Sequence, residues 1–498
     1  MLSTIINKLT TVALLLLTSN QPLAPSPSNF SPTFTKSRKT THKIDRKQEY
    51  IFGYLEVLEN RSNPRGSTIQ IPVYIFKSRS ENPPKDPIIY TVGGPGNTTM
   101  PSAQYMDYYK YLDDRDFILI EQRGNYYAKP HLDCPEWAEA MYQSNLPSVS
   151  AQEVDSLLRS AALSCRDRLI RSGIDLDGYN TNEIAADIND LVEVLEIESY
   201  NLLTISYSTK IAQVLMRDYP SRIRSVVMDS PLPLAANYEE ESVDNLMLAV
   251  EKLLADCESD ANCTGAFPDL KQRFFKYLEQ KTKDPLVVQV ENPQNGKTET
   301  FYLKGADLIA VFTLASTAEV GDVPFEINKL LNNDLSSVKK QLTYLFQGPD
   351  GGAGKGMRLS VWCAEETPFN STEMIAQTRV KYPQVKGIDP VEFDKEVCEI
   401  WGVKKVADRE NQAVTSDIPV LLINGEYDSV TPMKWAQSMM PYLENSFHLV
   451  FRAWKHTPTT YWSDPCGMQV AHDFFNDPTV KPYPDCFAQI NEPEFKTE

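Results

Sequence analysis

Ser206 stands between two kinds of sequence pattern. A short apolar run of Leu202, Leu203 and Ile205 leads into it, and Ile211, Ala212, Leu215 and Met216 follow at helical spacing. The pattern predicts a strand, a sharp turn and a helix, with the serine hydroxyl exposed above the C-terminal edge of a sheet and a helix N-terminus behind it. A serine is a poor nucleophile until a base removes its proton, and in this chemistry the base is a histidine held by a carboxylate. The chain has five histidines. His42 lies near the N-terminus, His131 in a loop, His448 inside a strand pattern and His472 within the last long helical stretch. His456, in AWKHTPTTY, follows the final predicted strand. Where a doubly wound sheet carries such chemistry, the chain order is serine, acid, histidine. The acid is expected after the preceding strand, in NGEYDSVTP, where Asp428 is preferred to Glu426 because the carboxylate must reach the imidazole Nδ1 from a loop. The turn itself reads Thr204-Ile205-Ser206-Tyr207-Ser208, where Thr204 and Ser208 stand in place of the glycines usual two residues before and after the serine; Ser208 is nearly as small as glycine, and Thr204 is bulkier.

These side chains need a scaffold, and the chain supplies one. Ile88, Ile89, Tyr90 and Val92 form a buried-strand run that ends in Gly93-Gly94-Pro95-Gly96, a loop able to turn its amide hydrogens toward a ligand. Asp116 to Gly124 is a second apolar strand that ends in a polar turn, Glu121-Gln122-Arg123-Gly124. Strands and helices then alternate through an amphipathic helix at residues 181–195 and strands at 200–205 and 223–229, which specifies a parallel sheet covered on both faces. Ahead of these, the segments on either side of Asn63-Pro64-Arg65-Gly66 predict two antiparallel strands. Between about residues 231 and 408 helical patterns dominate, among them one running from Val323 to Phe346, with a Gly-rich break at 348–356. Buried strands resume at Ile418 to Gly425 and Ser446 to Phe451. The expected organisation is a first core part at 44–230, a mostly helical cap at 231–408 and a second core part at 409–498.

The formal net charge of −18 excludes a protein that wraps nucleic acid or docks on anionic lipid by charge. Residues 1–20 have the layout of a secretory signal peptide, and 21–43, rich in Pro, Ser, Thr and Lys, read as a flexible leader. No later stretch is long and apolar enough for a stable membrane span. Eight cysteines behind a signal peptide point to disulfides. Cys257 with Cys263, and Cys466 with Cys486, bracket short segments as local staples, which leaves Cys134 with Cys165 and Cys363 with Cys398.

The joint pattern resembles the proline iminopeptidase and tripeptidyl aminopeptidase family of α/β-hydrolases from about Gly53 to Cys486. The residues that carry the resemblance are Gly93 to Gly96, Glu121 to Gly124, Leu132-Asp133-Cys134-Pro135-Glu136, Ser206-Tyr207, Arg217-Asp218-Tyr219-Pro220, Asn424 to Pro432, and His456 followed by Pro465-Cys466. The resemblance implies an α/β-hydrolase fold, mostly parallel and doubly wound with an inserted helical cap. It implies Ser206 as nucleophile, Asp428 as acid, His456 as base, and an oxyanion hole from the backbone amides of Tyr207 and Gly94. Val92 and Glu121 depart from the family's commoner His and Asp. The expected activity is that of a secreted or periplasmic serine aminopeptidase that removes one or a few N-terminal residues from short peptides, with no metal or organic cofactor. A carboxylesterase on the same fold, or a binding protein that has lost the chemistry, are the alternatives. An aminopeptidase must also hold a free ammonium, for which Glu365 and Glu366, beside Cys363, are expected rather than the run Glu239 to Glu241, read as a solvated helix face.

Overall fold

The computed structural model describes residues 30–498, apart from 45–46, 145–148, 294, 314–318, 345–353, 383–391 and 462. The signal-peptide reading of 1–20, the beginning of the leader and most of the Gly-rich break lie outside the described residues. Nine strands form one sheet. In chain order they are β1 (Thr33–Lys36), β2 (Tyr50–Leu58), β3 (Thr68–Phe76), β4 (Ile88–Thr91), β5 (Phe117–Ile120), β6 (Tyr200–Ile205) and β7 (Ile223–Asp229), then, beyond an insertion that contains β8 (Leu286–Glu291) and β9 (Thr298–Leu303), β10 (Val420–Gly425) and β11 (Ser446–Phe451). The spatial order is β1-β2-β3-β5-β4-β6-β7-β10-β11. Pairing is antiparallel from β1 through β3 to β5, and parallel from β5 to β11.

Successive residues of a strand point to opposite faces, so strands buried on both sides must be apolar at nearly every position. In β6, Leu202 packs into one layer while Leu203 and Ile205 pack into the other. Val226 and Val227 of β7, and Leu422 and Leu421 of β10, divide in the same way. The continuous apolar runs read from the sequence follow from this two-sided burial.

Three features differ from the sequence reading. The leader is not flexible throughout: Thr33 to Lys36 pairs with Glu56 to Gly53 as an edge strand of the sheet. Thr, Phe, Thr and Lys alternate at the strand period, and Gly53 makes room, since a Cβ there would lie 2.6 Å from the Phe34 ring. Further along, the Thr41 hydroxyl bonds the Tyr74 hydroxyl at 2.9 Å, and the His42 amide donates to the same oxygen. In the insertion, β8 and β9 form an antiparallel hairpin that helical periodicity gave no sign of. The pattern from Val323 onward is two helices, Val323–Leu331 and Ser336–Tyr344, because Asn333 turns into the left-handed region (φ +63°) and the Asp334 carboxylate accepts from the Ser336 amide.

The insertion has an apolar cluster of its own, built from residues such as Met247, Leu254, Phe274, Leu278, Leu308 and Ile327. Disulfides join Cys134 to Cys165, Cys257 to Cys263, Cys363 to Cys398 and Cys466 to Cys486, which accounts for every cysteine in the chain. The third ties the helix Lys355–Glu365 to the helix Lys395–Trp401.

Candidate active site

Each parallel strand delivers a functional segment at its C-terminal end, where an open parallel sheet offers ligand positions. β4 leads to Gly93, β5 to Glu121, β6 to Ser206, β7 to Ser230, β10 to the loop with Asp428, and β11 to the loop with His456. Ser206 has φ +55°, in the left-handed region that costs a non-glycine residue energy. Its amide donates to the Asp229 carbonyl at 2.9 Å, and Tyr207 opens the helix Ser208–Asp218. A Cβ on Gly93 would lie 2.8 Å from both the Ser206 Cβ and the Ile205 carbonyl oxygen, so only glycine lets the loop approach the turn so closely.

The departures at the turn are accommodated by hydrogen bonds. The Thr204 hydroxyl, fully buried, donates to the Val227 carbonyl of β7 at 3.1 Å. The Ser208 hydroxyl accepts from the Ile205 amide at 2.8 Å and donates to the Thr91 carbonyl of β4 at 2.8 Å. A side chain that is nearly glycine-sized in profile thus connects two strands and the helix.

Asp428 and His456 meet. His456 Nδ1 lies 2.8 Å from Asp428 Oδ2, with the Asp428 side chain completely buried and that of His456 26% exposed. The other carboxylate oxygen accepts from the Val430 and Thr431 amides, both at 2.9 Å, and the Thr431 hydroxyl donates to Oδ2. Burial alone would raise the Asp428 pKa; the His456 charge and hydrogen bond, helped by the two amides, hold it below the ordinary value. For His456, burial would lower the pKa, and the opposing charge and hydrogen bond of Asp428 raise it. Glu426 turns to the insertion instead, 3.2 Å from Lys252. The remaining histidines have other partners: His42 lies against Tyr127, His131 beside Asp133, His448 on Asn424 and His472 beside Asp114.

Asp229 and Ser230, which were not singled out from the sequence, tie the serine turn to the histidine loop. The Asp229 carbonyl holds the Ser206 amide, while its carboxylate accepts from the Thr459 amide at 2.8 Å and the Thr459 hydroxyl at 2.5 Å. The Ser230 hydroxyl accepts from the Thr457 amide at 2.8 Å. Burial pushes the Asp229 carboxyl up to about 7. Its signal in the sequence was its place at the end of a parallel strand, in VVMDSP, the position that every other functional segment shares.

On the other side of Ser206, Glu121 supports the glycine loop, accepting from the Thr98 hydroxyl and from the Thr99 and Gln122 amides. Burial pushes its carboxyl up to about 7. The neighbouring Arg123 points away from the site, into a buried network with Asp187 and the carbonyls of Glu59 and Gly178.

The structure does not leave Glu365 and Glu366 free for a substrate ammonium. Glu365 accepts from both the amide and the hydroxyl of Thr181, at 2.5 Å each, capping the helix Thr181–Val194, and Glu366 is ion-paired with the buried Lys210. The triglutamate run is not a solvated face either. Glu239 is 1% exposed and accepts from Trp362 Nε1 at 2.8 Å, the Glu392 amide at 3.0 Å and Asn370 Nδ2 at 2.6 Å. Burial pushes its carboxyl up to about 8. What decided these roles was contact within the insertion and between it and the helices of the sheet, which local sequence does not reveal.

Two family profiles match the chain. One, described as alpha/beta hydrolase fold, covers residues 86–283, and the other, TAP-like protein, covers residues 389–486. Serine protease Hip1 of Mycobacterium tuberculosis is 20% identical over 460 residues, 87% of this chain and 86% of its own length. A tripeptidyl aminopeptidase of Streptomyces coelicolor is 27% identical over 192 residues, 36% of this chain and 34% of its own. Among solved structures, a proline iminopeptidase from Mycobacterium smegmatis overlaps 82% of this chain and 96% of its own, at 14% identity and a TM-score of 0.37. With the sheet order and the serine turn at the end of β6, the two family profiles and the curated relatives show a serine hydrolase with the alpha/beta hydrolase fold, similar in sequence to the tripeptidyl aminopeptidases.

Proposed function

We propose that the protein is a secreted or periplasmic serine aminopeptidase that releases one or a few residues from the N-terminus of short peptides. The observation that carries the reading is the Asp428–His456 pair, bonded at 2.8 Å and linked to the Ser206 turn through Asp229 and Ser230. In the first half-reaction Ser206 Oγ bonds to the scissile carbonyl carbon as its proton passes to His456 Nε2. Asp428 holds Nδ1–H and stabilises the imidazolium. The amides of Tyr207 and Gly94, which donate to no protein acceptor among the described residues, receive the oxyanion. His456 then protonates the leaving amine, and water, activated by the same histidine, hydrolyses the acyl-enzyme.

The TAP-like match and the tripeptidyl aminopeptidase relative support a peptidase over an esterase. Cysteines that are all paired support an oxidising compartment. A fluorophosphonate probe should label the wild type and not Ser206→Ala. In a panel of aminoacyl and tripeptidyl anilides beside short-chain nitrophenyl esters, free-amine substrates should be preferred to their N-acetylated forms. Equal turnover of the two would remove the aminopeptidase reading, and turnover of esters alone would establish the carboxylesterase.

A further inference from the structure

For the oxyanion, the loop that carries Gly94 must present an amide hydrogen and not a carbonyl oxygen. A peptide unit flanked by glycines can rotate at little cost, and a rotated Gly93–Gly94 unit would present a carbonyl oxygen where an oxyanion needs a donor. Gly94 and Gly96 both have positive φ, +119° and +95°. Glu121 of the core holds the far end of this loop through Thr98 and Thr99, and the cap holds the Gly94–Pro95 end. Arg358, on the helix Lys355–Glu365, donates from one guanidinium nitrogen to the Gly94 carbonyl at 2.7 Å and to the Pro95 carbonyl at 3.3 Å. Its other two nitrogens are held by the Glu392 carboxylate, and its guanidinium carbon lies 4.6 Å from the Trp362 ring centre. The helix start sits directly on the loop: a Cβ on Gly354 would lie 2.2 Å from the Gly96 carbonyl oxygen, and one on Gly96 would lie 2.8 Å from the Gly354 oxygen.

Building on the serine-hydrolase reading above, we propose that Arg358 is a positioning residue that pins the Gly94 and Pro95 carbonyls toward the cap and thereby keeps the Gly94 amide turned toward the oxyanion. Seating of the cap and stabilisation of the transition state are then one event. The fork geometry matters, since one face of the guanidinium must meet two carbonyls while the other meets a carboxylate, which a lysine cannot do.

The test compares wild type, Arg358→Lys and Arg358→Ala on 4-nitrophenyl acetate, with phenylboronic acid as a probe that forms a tetrahedral adduct. Since losing one oxyanion donor outright costs about 10² to 10³ in kcat, a donor left misaligned should cost about 10- to 100-fold, with KM changed less than about threefold. Affinity for phenylboronic acid should fall by a similar factor. Guanidinium chloride at low, non-denaturing concentration should restore part of the kcat of Arg358→Ala and do nothing for the wild type. Variants with wild-type kcat, or a loss that falls on KM alone or follows a collapse in Tm without guanidinium rescue, would overturn the proposal. Fluorophosphonate labelling separates the two readings. A wild type labelled at Ser206 with fully active Arg358 variants overturns this inference alone, and an unlabelled wild type overturns both.

Discussion

His456 can take a proton from Ser206 only while its ring is neutral, so the Asp428 contact that orients it also makes it harder to deprotonate. The raised pKa of His456 predicts that kcat/KM rises along an acid limb whose midpoint lies above the ordinary histidine value of 6.5. Asp428→Asn should move the midpoint down, since the opposing charge is gone, while lowering kcat by about 10³- to 10⁴-fold through loss of the ring's orientation. A limb that stays in place in this variant would mean that another group controls it. His456→Ala should abolish turnover with little change in Tm, because a partly exposed loop side chain contributes little to stability.

At the scale of elements, the departures around Ser206 follow from which strands need joining. Ser208 replaces the customary glycine with a hydroxyl that bridges Ile205 and Thr91. Ser208→Gly, which restores the common pattern, should therefore lower stability by about 1 to 3 kcal/mol, as expected when a buried amide and carbonyl lose their partner, and leave kcat within about tenfold. A more stable variant in urea unfolding would refute the bridging role. The parallel strands were legible because two-sided burial leaves an unbroken apolar run, and the placement of Ser206, Asp428 and His456 at strand ends was legible because each follows such a run. The edge strand at Thr33 was hidden by a composition typical of leaders, and the β8–β9 hairpin by its half-exposed residues. The roles of Glu239, Glu365, Glu366 and Lys210 were not legible, since their partners lie more than a hundred residues away in the chain. The same separation hid Arg358, whose carbonyl partners are in the first core segment.

For the whole molecule, the buried carboxylates set a pH dependence of stability. Burial raises Glu121 from an ordinary 4.5 to about 7, so its folded form favours the proton more than the unfolded chain does. Its contribution is therefore full below about 4.5 and is lost as pH rises through about 7, an effect on the order of 3 kcal/mol. Asp229 and Glu365, raised for the same first reason, act in the same direction. Glu392 opposes them at the acid end: burial would raise it, but Arg358 and Lys355 hold it at about 2, and its contribution is lost as pH falls toward that value. Tm should peak on the mildly acidic side and decline toward pH 8, and Glu121→Gln should flatten part of that decline. A profile that the variant leaves unchanged would refute the assignment. The order of the sheet has a further consequence, in time rather than in space. β10 and β11 join the edge of β7 only after the whole insertion has been made, so a growing chain has its serine long before the acid and the histidine exist to activate it. On the roles proposed above, the chain holds a nucleophile without a base until β10 and β11 have followed the insertion, and hydrolytic power arrives only with those two strands.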